Sequence, residues 1–223
     1  MLDEHARTVG GTIGLASDAT QRFRYYKFAS RQAFYSSYEA GGKAFGDYLI
    51  SPDYFQPHEQ AHVYTFRVWG GWSADWINEG EAVALSCDPT KDPTPSTTPR
   101  ALISPTDWRD QLYDGLFTTP QGYAAAGFVI THLAQRYGWQ AVGRLHQRVP
   151  PGTSRADLER AFAEVFPISM DQAWSDALDT PGGPACDRTW LCRATPLALG
   201  EPIQPACDGR LYASVTVPDG DAG

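Results

Sequence analysis

The rhythm of polar and apolar positions changes near residue 57. Ahead of it, Arg22, Phe23, Arg24 and Tyr25 alternate with the period of two expected of a half-buried strand. Ser30 then offers a cap for a short helix ending at Tyr35. Glu39, Ala40, Gly41 and Gly42 read as a turn, and 43–51, carrying Phe45, Tyr48, Leu49 and Ile50, reads as a second strand. Residues 1–20, rich in Gly, Thr and Ala, read as a loose lead-in. From Pro57, a residue suited to a first helical turn, the pattern becomes helical. The spacing predicts a helix over 57–69 ended by Gly70 and Gly71, and a second over 76–87. Residues 88–105 are Pro- and Thr-rich and read as a loop. Helices follow over 107–117, 122–137, 139–148, 154–165 and 169–178, with Gly138, Ser154 and Ser169 as punctuation.

These elements predict an α+β chain. A small strand-containing lobe (1–56) precedes a mainly helical part (57–180), which opens with a pair of helices. An irregular tail (181–223), rich in Cys and Pro, closes the chain.

Composition narrows the classes of function. With 42% hydrophobic and 13% aromatic residues, the chain can bury a substantial core. A formal charge of −8 repels phosphate backbones, so nucleic acid is not an expected partner. No stretch approaches the roughly 20 apolar residues of a membrane span.

The four cysteines bear on compartment. Cys186, Cys192 and Cys207 lie in a tail too poor in apolar periodicity to hold itself by packing, and Cys87 ends the second predicted helix. Disulfides are the usual remedy in oxidising compartments, which points to export with a signal removed; reduced cysteines in a cytosolic protein are the other reading. The expected pairs are Cys186–Cys192 and Cys87–Cys207, with Cys87 to Cys186 or Cys192 as the alternative.

The chemistry concentrates at His58, Glu59, Gln60, Ala61 and His62, an H-E-x-x-H segment. On a helix, positions four apart share a face, so His58 and His62 can bind one zinc ion at about 2.0–2.1 Å each. Glu59 flanks the metal without ligating it. There it can accept a proton from an activated water and pass it to a leaving amine. Imidazole binds zinc while leaving it Lewis acidic, which is why histidine suits the ligand positions.

Sixteen residues intervene between His62 and Glu79, within Trp76, Ile77, Asn78, Glu79, Gly80, Glu81 and Ala82. This combination resembles the gluzincins, the thermolysin- and aminopeptidase-like zinc peptidases, in which a second helix supplies a glutamate as third ligand. The resemblance implies that Glu79 is that ligand, and that Gly80 and Ala82 let the two helices approach closely. It spans about residues 43–178, with its specific motifs in 58–82. One position departs: thermolysin-like enzymes carry an Asp four residues after the third ligand to orient a histidine, and this chain has Val83. Glu81 is a rival ligand, about 200° around the helix from Glu79, so only one of the two can face the metal.

Other candidates are weaker. Peptide hydrolysis needs an oxyanion donor, and Tyr123, opening the helix after the site, is the candidate. His132 lies nine residues on, across the helix from Tyr123, and reads as a hydrogen-bonded structural histidine. His5 and His146 read as exposed. Trp69, Trp72 and Trp76 read as packing residues between the zinc helices. The strand at 43–50 is implied by the resemblance to lie along a substrate cleft. The expected function is a secreted single-zinc peptidase acting on a peptide or protein. Its rivals are a metal-binding or interaction module without turnover, and an effector using the same chemistry on one host protein.

Overall fold

The structure, a computed structural model, describes residues 5–15, 23–36, 42–53, 55–86 and 119–180. The order of elements is α1 (Ala6–Gly10, π-helical), β1 (Arg24–Lys27), α2 (Arg31–Tyr35), β2 (Lys43–Phe45), β3 (Tyr48–Ser51), α3 (Pro57–Thr65, continued by a π-helical turn Phe66–Gly70) and α4 (Asp75–Ser86). After the interval come α5 (Pro120–Tyr137), α6 (Trp139–Arg148), α7 (Arg155–Val165) and α8 (Met170–Asp179). The fold is mixed α+β, mostly helical with one small sheet. The cysteines and the helix expected at 107–117 lie outside the described residues, as does the expected tail.

Two expectations for the front of the chain change. The lead-in holds a helical segment whose Val9 and Ile13 join the core. The single strand expected at 43–51 is a hairpin. Gly46, at φ 66°, and Asp47 turn the chain, so β2 and β3 pair antiparallel with Phe45 opposite Tyr48. A Gly at positive φ in a two-residue loop is the signal for such a turn. Strand β1 adds in parallel on the other side of β3, giving the order β1-β3-β2 and leaving β2 at an edge.

The helical part follows the pattern closely, and its caps show why. Ser30, Ser154 and Ser169 accept hydrogen bonds from the backbone N–H three residues on, at 3.1, 3.2 and 3.1 Å. Thr119 does the same for Gly122 at 3.1 Å, with Pro120 in the first turn of α5. Helices α4 and α5 form the centre of the layer. Small residues bring them close: a Cβ at Gly80 would lie 2.7 Å from the Ala126 carbonyl oxygen, and one at Gly127 would overlap Val83. The close approach at Gly80 is therefore to α5, not to α3 as the resemblance implied. Trp76 of α4 meets Trp174 of α8 with ring centroids 5.6 Å apart, and both are buried. No helix among the described residues is long and apolar enough to cross a membrane.

Candidate metal centre

Helix α3 places His58 and His62 one turn apart, with ring centroids 4.8 Å from each other. Both rings are buried, at 3% and 5% exposure. Across from them, α4 presents Glu79. Its Oε2 lies 2.9 Å from His58 Nε2 and 3.4 Å from His62 Nε2. One nitrogen from each ring and one carboxylate oxygen fall within 4.8 Å of one another. Three donor atoms so gathered could hold a metal ion, and two imidazoles with one carboxylate form a known catalytic ligand set. Burial alone would raise the Glu79 pKa. The charges of His62 and His58 and their hydrogen bonds reverse this and hold the carboxylate well below its ordinary range.

The rotation of α4 brings Glu79, and not Glu81, to the two histidines. Glu79 faces the two histidines, whereas Glu81 faces away, fully buried, with Oε2 2.9 Å from His146 Nδ1. His146 is thus a buried residue paired with Glu81, not an exposed one. Burial opposes its protonation, but the hydrogen bond and charge of Glu81, aided by the Gly71 carbonyl, raise its pKa. His5 is likewise buried, against expectation. Its Nδ1 lies 3.0 Å from the Tyr64 hydroxyl, which is 3.3 Å from Gln60 Oε1. Gln60 and Tyr64 sit on the opposite face of α3 from His58 and His62, so the N-terminal segment backs the helix that carries the histidine pair. Burial holds the His5 pKa down near 3.

Glu59 is half-buried and lies against the chain entering β2: a Cβ at Gly42 would come 2.7 Å from Glu59 Cγ. Tyr123 reaches the same place from α5, its ring centroid 5.7 Å from that of His58. Burial and the negative charges of Glu79 and Glu59 push its hydroxyl pKa up, so it stays a proton donor at neutral pH. Trp72 edges onto His62 at 5.9 Å, whereas Trp69 and Trp76 are buried packing residues. His132 is half-buried, and its Nε2 has no hydrogen-bond partner among the described residues, contrary to the expected role. Val83 packs on Gly127, so it cannot take the orienting part played by an Asp in thermolysin-like enzymes.

Two structural residues escaped the sequence reading. Asn78 clasps the connection between the two helices. Its Oδ1 accepts from Ser73 N–H at 3.0 Å and its Nδ2 donates to the Ser73 carbonyl at 2.7 Å. His146 shares a helix face with Val142 and follows Leu145, an apolar spacing that marks it as inward-facing.

Comparison with known proteins returns no matching family model, no matching curated protein and no matching solved structure.

Proposed function

We propose that the chain is a zinc-dependent peptidase of the gluzincin type, with His58, His62 and Glu79 as ligands of one ion, Glu59 as general base and Tyr123 as oxyanion donor. The observation that carries this reading is the meeting of both ring nitrogens on one Glu79 oxygen, with Glu59 and Tyr123 alongside. When bound, zinc would supply a Lewis acid that acidifies water and polarises a carbonyl. Glu59 takes the proton released by the attacking water and returns it to the leaving amine, so the proton count balances over the cycle. Tyr123 remains protonated and donates to the oxygen on which charge develops. Strand β2, entered through Gly42 beside Glu59 and at an edge of the sheet among the described residues, is where an extended peptide would add. The ionised Glu79 compensates the charge of a bound cation without needing to lose a proton.

The second reading, a metal-holding module without turnover, draws on Val83. Metal analysis with a Glu59→Gln variant separates the two. The peptidase reading expects one equivalent of zinc in both proteins and about 10²–10⁴-fold slower hydrolysis in the variant. Equal turnover refutes the general base, and absence of metal from the parent refutes the site. Export belongs to the same proposal and rests on the four cysteines. Four free thiols in non-reduced protein would overturn it.

A further inference from the structure

Between the two metal-bearing helices runs a short connection, and α6 holds it along its length. The indole of Trp69 lies on Gly143, where any side chain would overlap it. Gln147 Nε2 donates to the Trp69 carbonyl at 3.1 Å. The Val149 carbonyl accepts from Ser73 Oγ at 2.8 Å and from Ala74 N–H at 2.9 Å. At the middle of this seam His146 reaches both arms at once. Its Nδ1 meets Glu81 of α4 at 2.9 Å, and its Nε2 meets the carbonyl of Gly71, just past the end of the α3 arm, at 3.3 Å.

Hydrogen-bond chemistry restricts this bridge. The Gly71 carbonyl can only accept, so Nε2 carries a proton. Nδ1 and Glu81 then share a further proton, as imidazolium with carboxylate or as imidazole with carboxylic acid. Glu81 Oε1 has no hydrogen-bond partner among the described residues. A buried pair of this kind is a poor source of stability, because desolvation offsets its attraction, and an apolar pair of similar volume holds two helices together about as well. What the pair adds is direction. Glu79 and Glu81 project about 200° apart on one rigid helix. Holding Glu81 toward α6 therefore aims Glu79 toward α3.

We propose that Glu81 and His146 are positioning residues that fix the rotation of α4 and its distance from the α3 arm, and so set the geometry of the three metal ligands. The inference rests on the metal-site reading above and deepens it. Neither residue touches the ion's ligands; the pair acts through the helix and the connection.

The test uses cobalt(II) as the probe, with affinity measured by chelator competition, the visible ligand-field spectrum as a report of geometry, and melting of the metal-free protein as a control for folding. Glu81→Gln keeps an oxygen that can accept from His146 and should stay within a few-fold of the parent in affinity. The double variant E81M/H146L keeps the volume and removes the direction. It should bind about 10–100-fold more weakly, as for loss of outer partners of a metal site, with an altered spectrum and an unchanged metal-free melting curve. His146→Asn retains the donor toward Glu81 and removes Nε2, so it provides the same reading if the double variant does not fold; about a tenfold loss with a shifted spectrum is expected. Parent-like affinity and spectrum in whichever of these two variants folds would overturn the proposal. His62→Ala separates the two levels. If it leaves cobalt binding intact, the metal site itself is wrong and the brace falls with it. If it abolishes binding while the His146 variants bind as the parent does, only the brace is wrong.

Discussion

Glu79 and Glu81 stand two residues apart on one helix and live in opposite surroundings. Glu79 keeps 24% of its side chain exposed, and two imidazole nitrogens converge on one of its oxygens. Glu81 is wholly buried, meets one imidazole, and has an oxygen with no hydrogen-bond partner among the described residues. The first arrangement gathers three donors around a point where a metal ion could sit, with the carboxylate partly exposed. The second closes a hydrogen-bonded carboxyl–imidazole pair inside the core. Carboxylate and histidine are thus not enough to mark a metal site; what marks it is the number of donors that meet and whether solvent can approach.

Substitution should separate the two sides of α4. The largest effect is expected for Glu79→Ala, which leaves a two-histidine site. Metal affinity should fall by more than the roughly 100-fold upper range for outer partners, while the fold persists. Equilibrium dialysis with circular dichroism checks both halves. Glu81→Ala should show the reverse order of damage. It leaves His146 buried opposite no carboxylate, at a cost of about 3–5 kcal/mol in urea unfolding. Equal loss of stability in the two variants would erase the contrast.

A second comparison, between His146 and His5, is read by pH. His146 has a carboxylate partner, whereas His5 is buried and held neutral, its pKa near 3 against an ordinary 6.5. Between those values the unfolded chain binds a proton at residue 5 that the folded chain does not. Stability should therefore fall as pH drops from about 6.5 toward 3, by up to about 1.4 kcal/mol per pH unit from this group. His5→Gln should flatten that slope, which denaturant titrations at several pH values would reveal; an unchanged slope would mean that His5 is not the group responsible.

Packing behind the site is the next test. Gly80→Ala forces a methyl against the Ala126 carbonyl and should cost about 1–3 kcal/mol while moving α4 off α5. A loss of metal affinity alongside the loss in melting temperature would tie that packing to the ligand geometry. The smallest effect is expected at Ser169→Ala, remote from both carboxylates. Loss of that cap should cost about 1 kcal/mol in thermal unfolding with cobalt binding unchanged.

Much of this could be read along the chain. Helices α3, α4, α6, α7 and α8 fall within a residue or two of their expected bounds, apart from the π-helical turn closing the α3 arm, because period, Pro57, Gly138 and the serine caps are local signals. His58 and His62 needed only the pitch of one helix to meet. The hairpin was legible too, because the Gly46-Asp47 pair interrupts the apolar positions between Phe45 and Tyr48.

By itself, then, the sequence determined which residues could share a helix face: His58 with His62, Glu79 apart from Glu81, His146 with Val142. Those relations follow from 3.6 residues per turn and need no partner. Tertiary structure alone decided which face met which. Glu79 looks toward the histidines and Glu81 toward His146 in an arrangement where α4 packs on α5 at Gly80 and Gly127. The burial of His5 and His146 likewise depends on contacts 59 and 65 residues away along the chain. Such contacts leave little trace in local pattern, because the burial of a single polar residue is set by what packs over it from elsewhere in the fold.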